Sequence, residues 1–175
     1  MKKKSKSTKK VKANKIKVNK LKVKYVPDGY HTETPYLTVD QGAQAIEFYK
    51  KAFGAKELFR MPGPDGKIGH AELQIGDSRI MLADESSMMG SRSPKSIGGS
   101  PIGLMLYVPD VDRMFQRSVE EGAKVTSPVE NKFYGDRAGS LEDPFGHKWI
   151  IATHVEDVPP KEMEKRAAEA MAATS

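Results

Sequence analysis

The chain has 175 residues, 38% of them hydrophobic, no cysteine, and a formal net charge of +6. That length holds one domain with a real core, no apolar run approaches the ~20 residues of a membrane span, and disulfides and thiolate metal sites are excluded. The charge is local: residues 1–24 hold 12 lysines and no acidic residue, leaving 17 basic against 23 acidic groups, a net −6, in the other 151 residues.

Residues 1–29 read as a basic, disordered tail. It lacks the apolar core of a secretory signal, and its positive residues are all lysine. From Lys15 onward Ile16, Val18, Leu21 and Val23 alternate with lysines, which is compatible with a short strand. Two readings stay open for residues 1–24. One is a loose electrostatic grip on nucleic acid or an anionic surface. The other, favoured because no aromatic residue precedes Tyr25 to stack on bases, is a solvated extension without a partner.

Thr34 to Val39 is predicted to be a strand. Asp40 or Gln41 then caps a helix to Phe53, with Ala45, Ile46, Tyr49, Ala52 and Phe53 at helical spacing and Gly54 as the stop. Lys56 to Met61 is a second strand and Pro64-Asp65-Gly66-Lys67 a turn. Ile68 to Ile75 is a third strand in strict alternation, with His70, Glu72 and Gln74 on one face and Ala71, Leu73 and Ile75 on the other. Arg79 to Ala83 is a fourth. Residues 85–100 are rich in Ser and Gly and read as a mobile loop, with Met88 and Met89 either exposed or a soft lid over a ligand.

The pattern then restarts. Ile102 to Val108 is a strand, Asp110 caps a helix through Glu121, and Gly122 stops it. Strands follow at Lys124–Thr126, near Arg137–Leu141 and at Lys148–Thr153. The two copies align: Leu37-Thr38-Val39 with Leu106-Tyr107-Val108 at an offset of 69, Gly54-Ala55-Lys56 with Gly122-Ala123-Lys124 at 68, and Gly69, Glu72, Gly76 and Ile80 with Gly139, Glu142, Gly146 and Ile150 at 70. The expected architecture is α+β. Two tandem βαβββ modules, residues 30–84 and 101–158 joined by loop 85–100, form an eight-stranded curved sheet around a cleft, because a four-stranded sheet with one helix leaves a face open. A C-terminal helix over residues 159–175 is opened by Pro159-Pro160.

The doubled βαβββ unit and its closing Asp143-Pro144-Phe145-Gly146 turn resemble the vicinal oxygen chelate superfamily, which holds glyoxalase I, extradiol dioxygenases and the fosfomycin and bleomycin resistance proteins. The phrases TPYLTVDQGAQAIEFYKKAFGA, GHAELQIGDSRIMLAD and FYGDRAGSLEDPFGHKWIIATHVEDV are similar to its PhnB-like branch. Metal enzymes of that superfamily take ligands from the first and last strand of each module. Here the resemblance puts those places at Thr34, Ile80, Gly103 and Ile150. Three of the four cannot ligate through a side chain, and Thr is a poor ligand. The expectation is no cofactor and no metal at the superfamily position, with a weak divalent ion at His70 and Glu72 left open. The resemblance also implies a homodimer.

The expected ligand-binding residues are Thr34, Tyr36, His70, Glu72, Gln74, Gly103, Met105, Tyr107, Arg137 and Glu142, with Ser140 on the same face. His70 and Glu72 suit either a general-base pair or the polar wall of a cavity, the latter being favoured. Asp136-Arg137 suits an anionic ligand or an internal salt bridge equally. Trp149 reads as core, His147 as an exposed turn residue, His154 as the cap of the last strand and His31 as exposed. Two functions compete: a metal-free binder of a small organic molecule, and a small lyase or isomerase with a relocated site at His70 and Glu72. Nucleic-acid association through the tail is a weaker third. Cysteine-free composition fits a reducing compartment, and a cytoplasmic location is the expectation.

Overall fold

The computed structural model describes residues 23–172, so the expectations for residues 1–22 and 173–175 lie outside the described residues. The elements run β1 (Tyr36–Val39), α1 (Gly42–Phe53), β2 (Lys56–Pro62), a 3-10 turn (Pro64–Gly66), β3 (Ile68–Ile75), β4 (Ser78–Asp84), α2 (Pro94–Ile97), β5 (Gly103–Tyr107), α3 (Val111–Glu120), β6 (Lys124–Asn131), β7 (Asp136–Glu142), β8 (Lys148–His154) and α4 (Pro160–Ala172). The two-module α+β architecture with a C-terminal helix holds. The eight strands divide into two hydrogen-bonded sheets of four, ordered β1-β4-β3-β2 and β5-β8-β7-β6, with β1 parallel to β4 and β5 parallel to β8.

α1 and α3 each cover one face of their own sheet. Ala45, Ile46, Tyr49, Ala52 and Phe53 of α1 are buried, as are Ala71, Leu73 and Ile75 beneath them. α3 buries Val111, Phe115 and Ser118, with Met114 and Val119 half-buried. The modules join on these helix-covered sides: α1 touches α3, the Arg117 guanidinium donates to the Ala52 carbonyl at 2.8 Å, and the rings of Phe53 and Trp149 meet at 4.7 Å. Trp149 is core, as its alternation predicts.

The β7–β8 turn anchors this seam. Asp143 is buried and its carboxylate accepts four hydrogen bonds, from Tyr49 Oη (2.8 Å), Trp149 Nε1 (2.8 Å) and the backbone N–H groups of Phe145 and His147 (both 2.9 Å). Burial and the Asp143 charge push the Tyr49 hydroxyl well above its ordinary pKa. His147 is not exposed, as its turn position suggests, but buried: its Nε2 donates to the Thr38 carbonyl of the other module at 3.0 Å.

Helix α1 has no side-chain cap of its own, since Gln41 makes none. Asp84 caps it from the end of β4, accepting from Gly42 N (2.7 Å) and Ile68 N (2.6 Å). Asp110 caps α3 locally through Arg113 N at 3.0 Å, as expected. Gly54 ends α1 in the left-handed region at φ 69.

Loop 85–100 carries structure that its composition hides. Ser86 and Ser91 exchange backbone hydrogen bonds at 3.1 Å. The Glu85 carboxylate accepts from Ser93 N (3.0 Å) and Ser96 Oγ (2.5 Å), which holds its carboxyl at a pKa of about 2. Met88 and Met89 are exposed.

Strand pairing corrects the repeat. Tyr36 pairs with Met81 as Met105 pairs with Ile150, an offset of 69. Glu72 pairs with Met81 as Ser140 pairs with Ile150, so Glu72 answers to Ser140 at 68, not to Glu142 at 70. Ile80 therefore answers to Trp149 and points into the core. Met81, not Ile80, holds the place equivalent to Ile150. The cause is turn length: the pair Gln74–Arg79 encloses four residues and the equivalent pair Glu142–Lys148 encloses five.

Candidate functional site

Because the helices meet at the seam, the sheet faces without helices are the ones left open. On the first module that face carries Tyr36 from β1, Arg79 and Met81 from β4, His70, Glu72 and Gln74 from β3, and Phe59 and Met61 from β2, as the pairings Phe59–Glu72 and Met61–His70 require. The polar residues form a row. Tyr36 Oη and His70 Nδ1 share a hydrogen bond at 2.9 Å, and His70 Nε2 lies 3.5 Å from Glu72 Oε1. The His70 ring is flanked by Tyr36 at 5.6 Å and Phe59 at 6.1 Å. Arg79 reaches the far oxygen of Glu72 at 3.9 Å. The Tyr30 hydroxyl, then His70 and Arg79, hold the Glu72 carboxyl below the ordinary carboxylate range, so Glu72 stays charged. Thr34 and Glu72 share a crevice of about 570 Å3 with Tyr30 and Met81. Gln74 turns to the Gly76 carbonyl at 3.0 Å.

On the second module the corresponding face carries Met105 and Tyr107 from β5, Ile150, Ala152 and His154 from β8, and Asp136, Ala138, Ser140 and Glu142 from β7, of which Asp136, Ala138 and Ala152 are buried. Its centre is apolar and its polar groups gather at one end. Asp136, 3% exposed, accepts from Tyr107 Oη at 2.9 Å and from His154 Nδ1 at 2.7 Å. His154 Nε2 meets Asp157 at 3.0 Å. Two carboxylates raise the His154 pKa, Asp136 foremost. His154 thus does not cap the strand; it ties the start of the C-terminal arm to β7.

The expected site residues therefore fall into separate groups. Tyr36, His70, Glu72 and Gln74 lie together on the first face; Met105, Tyr107 and Glu142 lie on the second. Arg137 leaves the site. It alternates with Asp136 on β7, faces the helix side, and holds Asp112 of α3 bidentately at 2.7 and 2.6 Å. Its reading as an internal salt bridge is the one that holds. Gly103 lies on the edge strand beside Ile150. Between the modules a crevice of about 660 Å3 takes in Met105, Tyr107, Arg79 and His31, with Phe53, Ile80 and Trp149 in its lining.

Tyr30, Arg79 and the Asp136–His154 pair were not expected. Alternation on β7 and β8, applied as on β3, places Asp136 and His154 on the open face. No local pattern marks Tyr30. For a metal, the four inherited places are now Thr34, Met81, Gly103 and Ile150, a set without an imidazole or carboxylate, which does not fit a divalent ion. Among the described residues no three His, Asp or Glu side chains converge as a metal site, and no helix is long and apolar enough to cross a membrane.

A sequence model of the Glyoxalase/Bleomycin resistance protein/Dioxygenase superfamily matches residues 30–151. An uncharacterized protein of Mycobacterium tuberculosis is 46% identical over 134 residues, covering 75% of this chain and 79% of that protein. The X-ray structure of an Arabidopsis thaliana gene product is 30% identical with a TM-score of 0.58, covering 70% of this chain and 98% of that one. A PhnB protein from Bacillus cereus, 16% identical with a TM-score of 0.52 over 70% of this chain and 99% of that one, shares the fold.

Proposed function

The chain belongs to the glyoxalase/bleomycin resistance protein/dioxygenase superfamily, and we propose that it binds a small organic molecule, without a metal at the superfamily position, on its open sheet faces. The observation that carries this reading is the Tyr36–His70–Glu72 row set among exposed apolar side chains. Polar groups that converge within an apolar surface fix the orientation of a ligand whose body is held by burial.

A second copy of the chain supplies the missing wall. Tyr36, Phe59 and Met61 on one face and Met105 and Tyr107 on the second module are exposed. Apolar surface of this extent marks an interaction site. In a twofold dimer the polar row of one module faces the apolar centre of the partner's second module, which encloses two equal sites. The protein works in the cytoplasm, and residues 1–24 supply any affinity for polyanions, which falls steeply with salt.

The second reading is a lyase or isomerase that uses His70 as base. What favours it is that His70 lies between a hydroxyl and a carboxylate, an arrangement that orients an imidazole for proton transfer. Two measurements decide. Sedimentation of wild type and Phe59→Lys should give dimer and monomer, and small-molecule binding read by NMR at His70 should be lost in the monomer. Metal analysis of chelator-free protein should find none. Stoichiometric metal that disappears in His70→Ala or Glu72→Ala would reject the metal-free binder in favour of the enzyme.

A further inference from the structure

The segment before β1 lies against the first open face. Pro27 to Tyr30 forms a tight turn in which Tyr30 N–H donates to the Pro27 carbonyl at 3.1 Å. Gly29 sits at φ +82, and a Cβ there would fall 2.5 Å from the Arg79 guanidinium, so glycine alone allows this approach. The turn lays the Tyr30 ring against Arg79, 4.4 Å from Cζ to the ring centroid. Tyr30 and Glu72 line the same crevice, where burial and then the Glu72 carboxylate raise the pKa of the phenol and the phenol lowers that of the carboxyl. The crevice beneath has Tyr25, Pro27 and His31 on the side of the segment, and Glu72 and Met81 on the side of the sheet.

The segment thus presents a phenol to the site. We propose that Tyr30 is an internal stand-in for the ligand: it fills the place of a planar ring bearing a hydrogen-bond donor, and ligand binding replaces it. The proposal rests on the first open face being a small-molecule site and names the class that site selects. Arg79 attracts the face of the ring. Glu72, held charged, favours a donor on that ring. A ring without a donor leaves that carboxylate with only His70 and Arg79 beside it. A ring with an anionic group in the donor's place meets like charge. The selected class is therefore neutral phenols, anilines and heterocycles with a ring N–H.

The test uses p-cresol, which has the chemistry of the tyrosine side chain, with the full-length protein and its Tyr30→Ala variant. Tyr30→Ala should bind p-cresol saturably, with NMR shifts at Glu72 and Arg79, at least about tenfold more tightly than wild type and about tenfold more tightly than it binds toluene. Gly29→Ala, which keeps the ring but strains the turn at its positive φ and crowds the Arg79 guanidinium, should shift p-cresol affinity in the same direction. In Tyr30→Phe the Glu72 carboxyl should titrate closer to its ordinary value. Equal affinity of wild type and Tyr30→Ala, or a folded Tyr30→Ala that binds no p-cresol at Glu72 and Arg79, overturns the proposal. The broader reading has its own readout: ring compounds that perturb His70 and Tyr36 equally with and without Tyr30 keep that reading and overturn this one.

Discussion

In the first module β3 and β4 are joined by two residues, Gly76 and Asp77, and Asp77 is exposed. In the second, β7 and β8 are joined by five, Asp143 to His147, and Asp143 is buried with four donors around it. The modules differ likewise in how their helices begin, α1 capped by the distant Asp84 and α3 by its neighbour Asp110. They differ again on their open faces. The first has a polar row along its middle and a segment from before β1 against it. The second is apolar in the middle and polar at the end where the C-terminal arm departs. Repetition preserves the ladder of strands and the helix cover, while turns, caps and open faces diverge, because strand register decides which side chains of each strand face the core.

Three pairs of substitutions and one titration test that contrast, in falling order of effect. Asp143→Ala leaves a buried phenol, an indole N–H and two backbone donors unsatisfied and should cost about 4 kcal/mol, whereas Asp77→Ala should stay within about 0.5 kcal/mol, both read by urea unfolding. Near-equal losses would remove the distinction between the two turns. Asp84→Ala strips two buried N–H groups in two elements and should cost about 2–3 kcal/mol, against about 1 kcal/mol for Asp110→Ala. Gly139 answers to Ala71 in the pairing, yet a Cβ on Gly139 would meet Phe115 and Val129 at 2.7 and 2.8 Å. Gly139→Ala should therefore cost about 2 kcal/mol, while Ala71→Gly should cost less, about 1 kcal/mol; thermal unfolding compares them.

The smallest effect is a pH dependence confined to the second module. His154 has its pKa raised in the folded chain by Asp136 and then Asp157. A raised value means that the stabilisation is fully present below the unfolded imidazole value of about 6.5 and is lost as pH rises through the folded one. An NMR titration of His154 should show its midpoint fall in Asp136→Asn. An unmoved midpoint would mean that Asp136 does not set it.

Much of the fold is legible in the chain. The strict alternation of β3, the glycine stops after both helices and the Asp110 cap are local signals, and local signals survive folding. Register is not local. Glu72 with Glu142 and Ile80 with Ile150 are matches of residue type, and one extra residue in the second turn makes them unequal in space. His147 looks like a surface turn residue until the Thr38 carbonyl of the other module closes over it. Arg137 was within reach, since the alternation used on β3 sends it to the side of Leu141. Of the site, His70, Glu72 and Tyr36 could be read from alternation; Tyr30 could not, because its contacts span forty residues or more from a segment with no periodic pattern.

Trp149 is the sole tryptophan of the chain, and its ring packs on Phe53 of the other module while its N–H is held by Asp143. The protein therefore carries a single-site optical probe at the junction of its two halves. Its intrinsic fluorescence should be blind to a ligand that merely settles on either outer surface. A change in emission during a titration would report that the halves have shifted against each other, with no label attached.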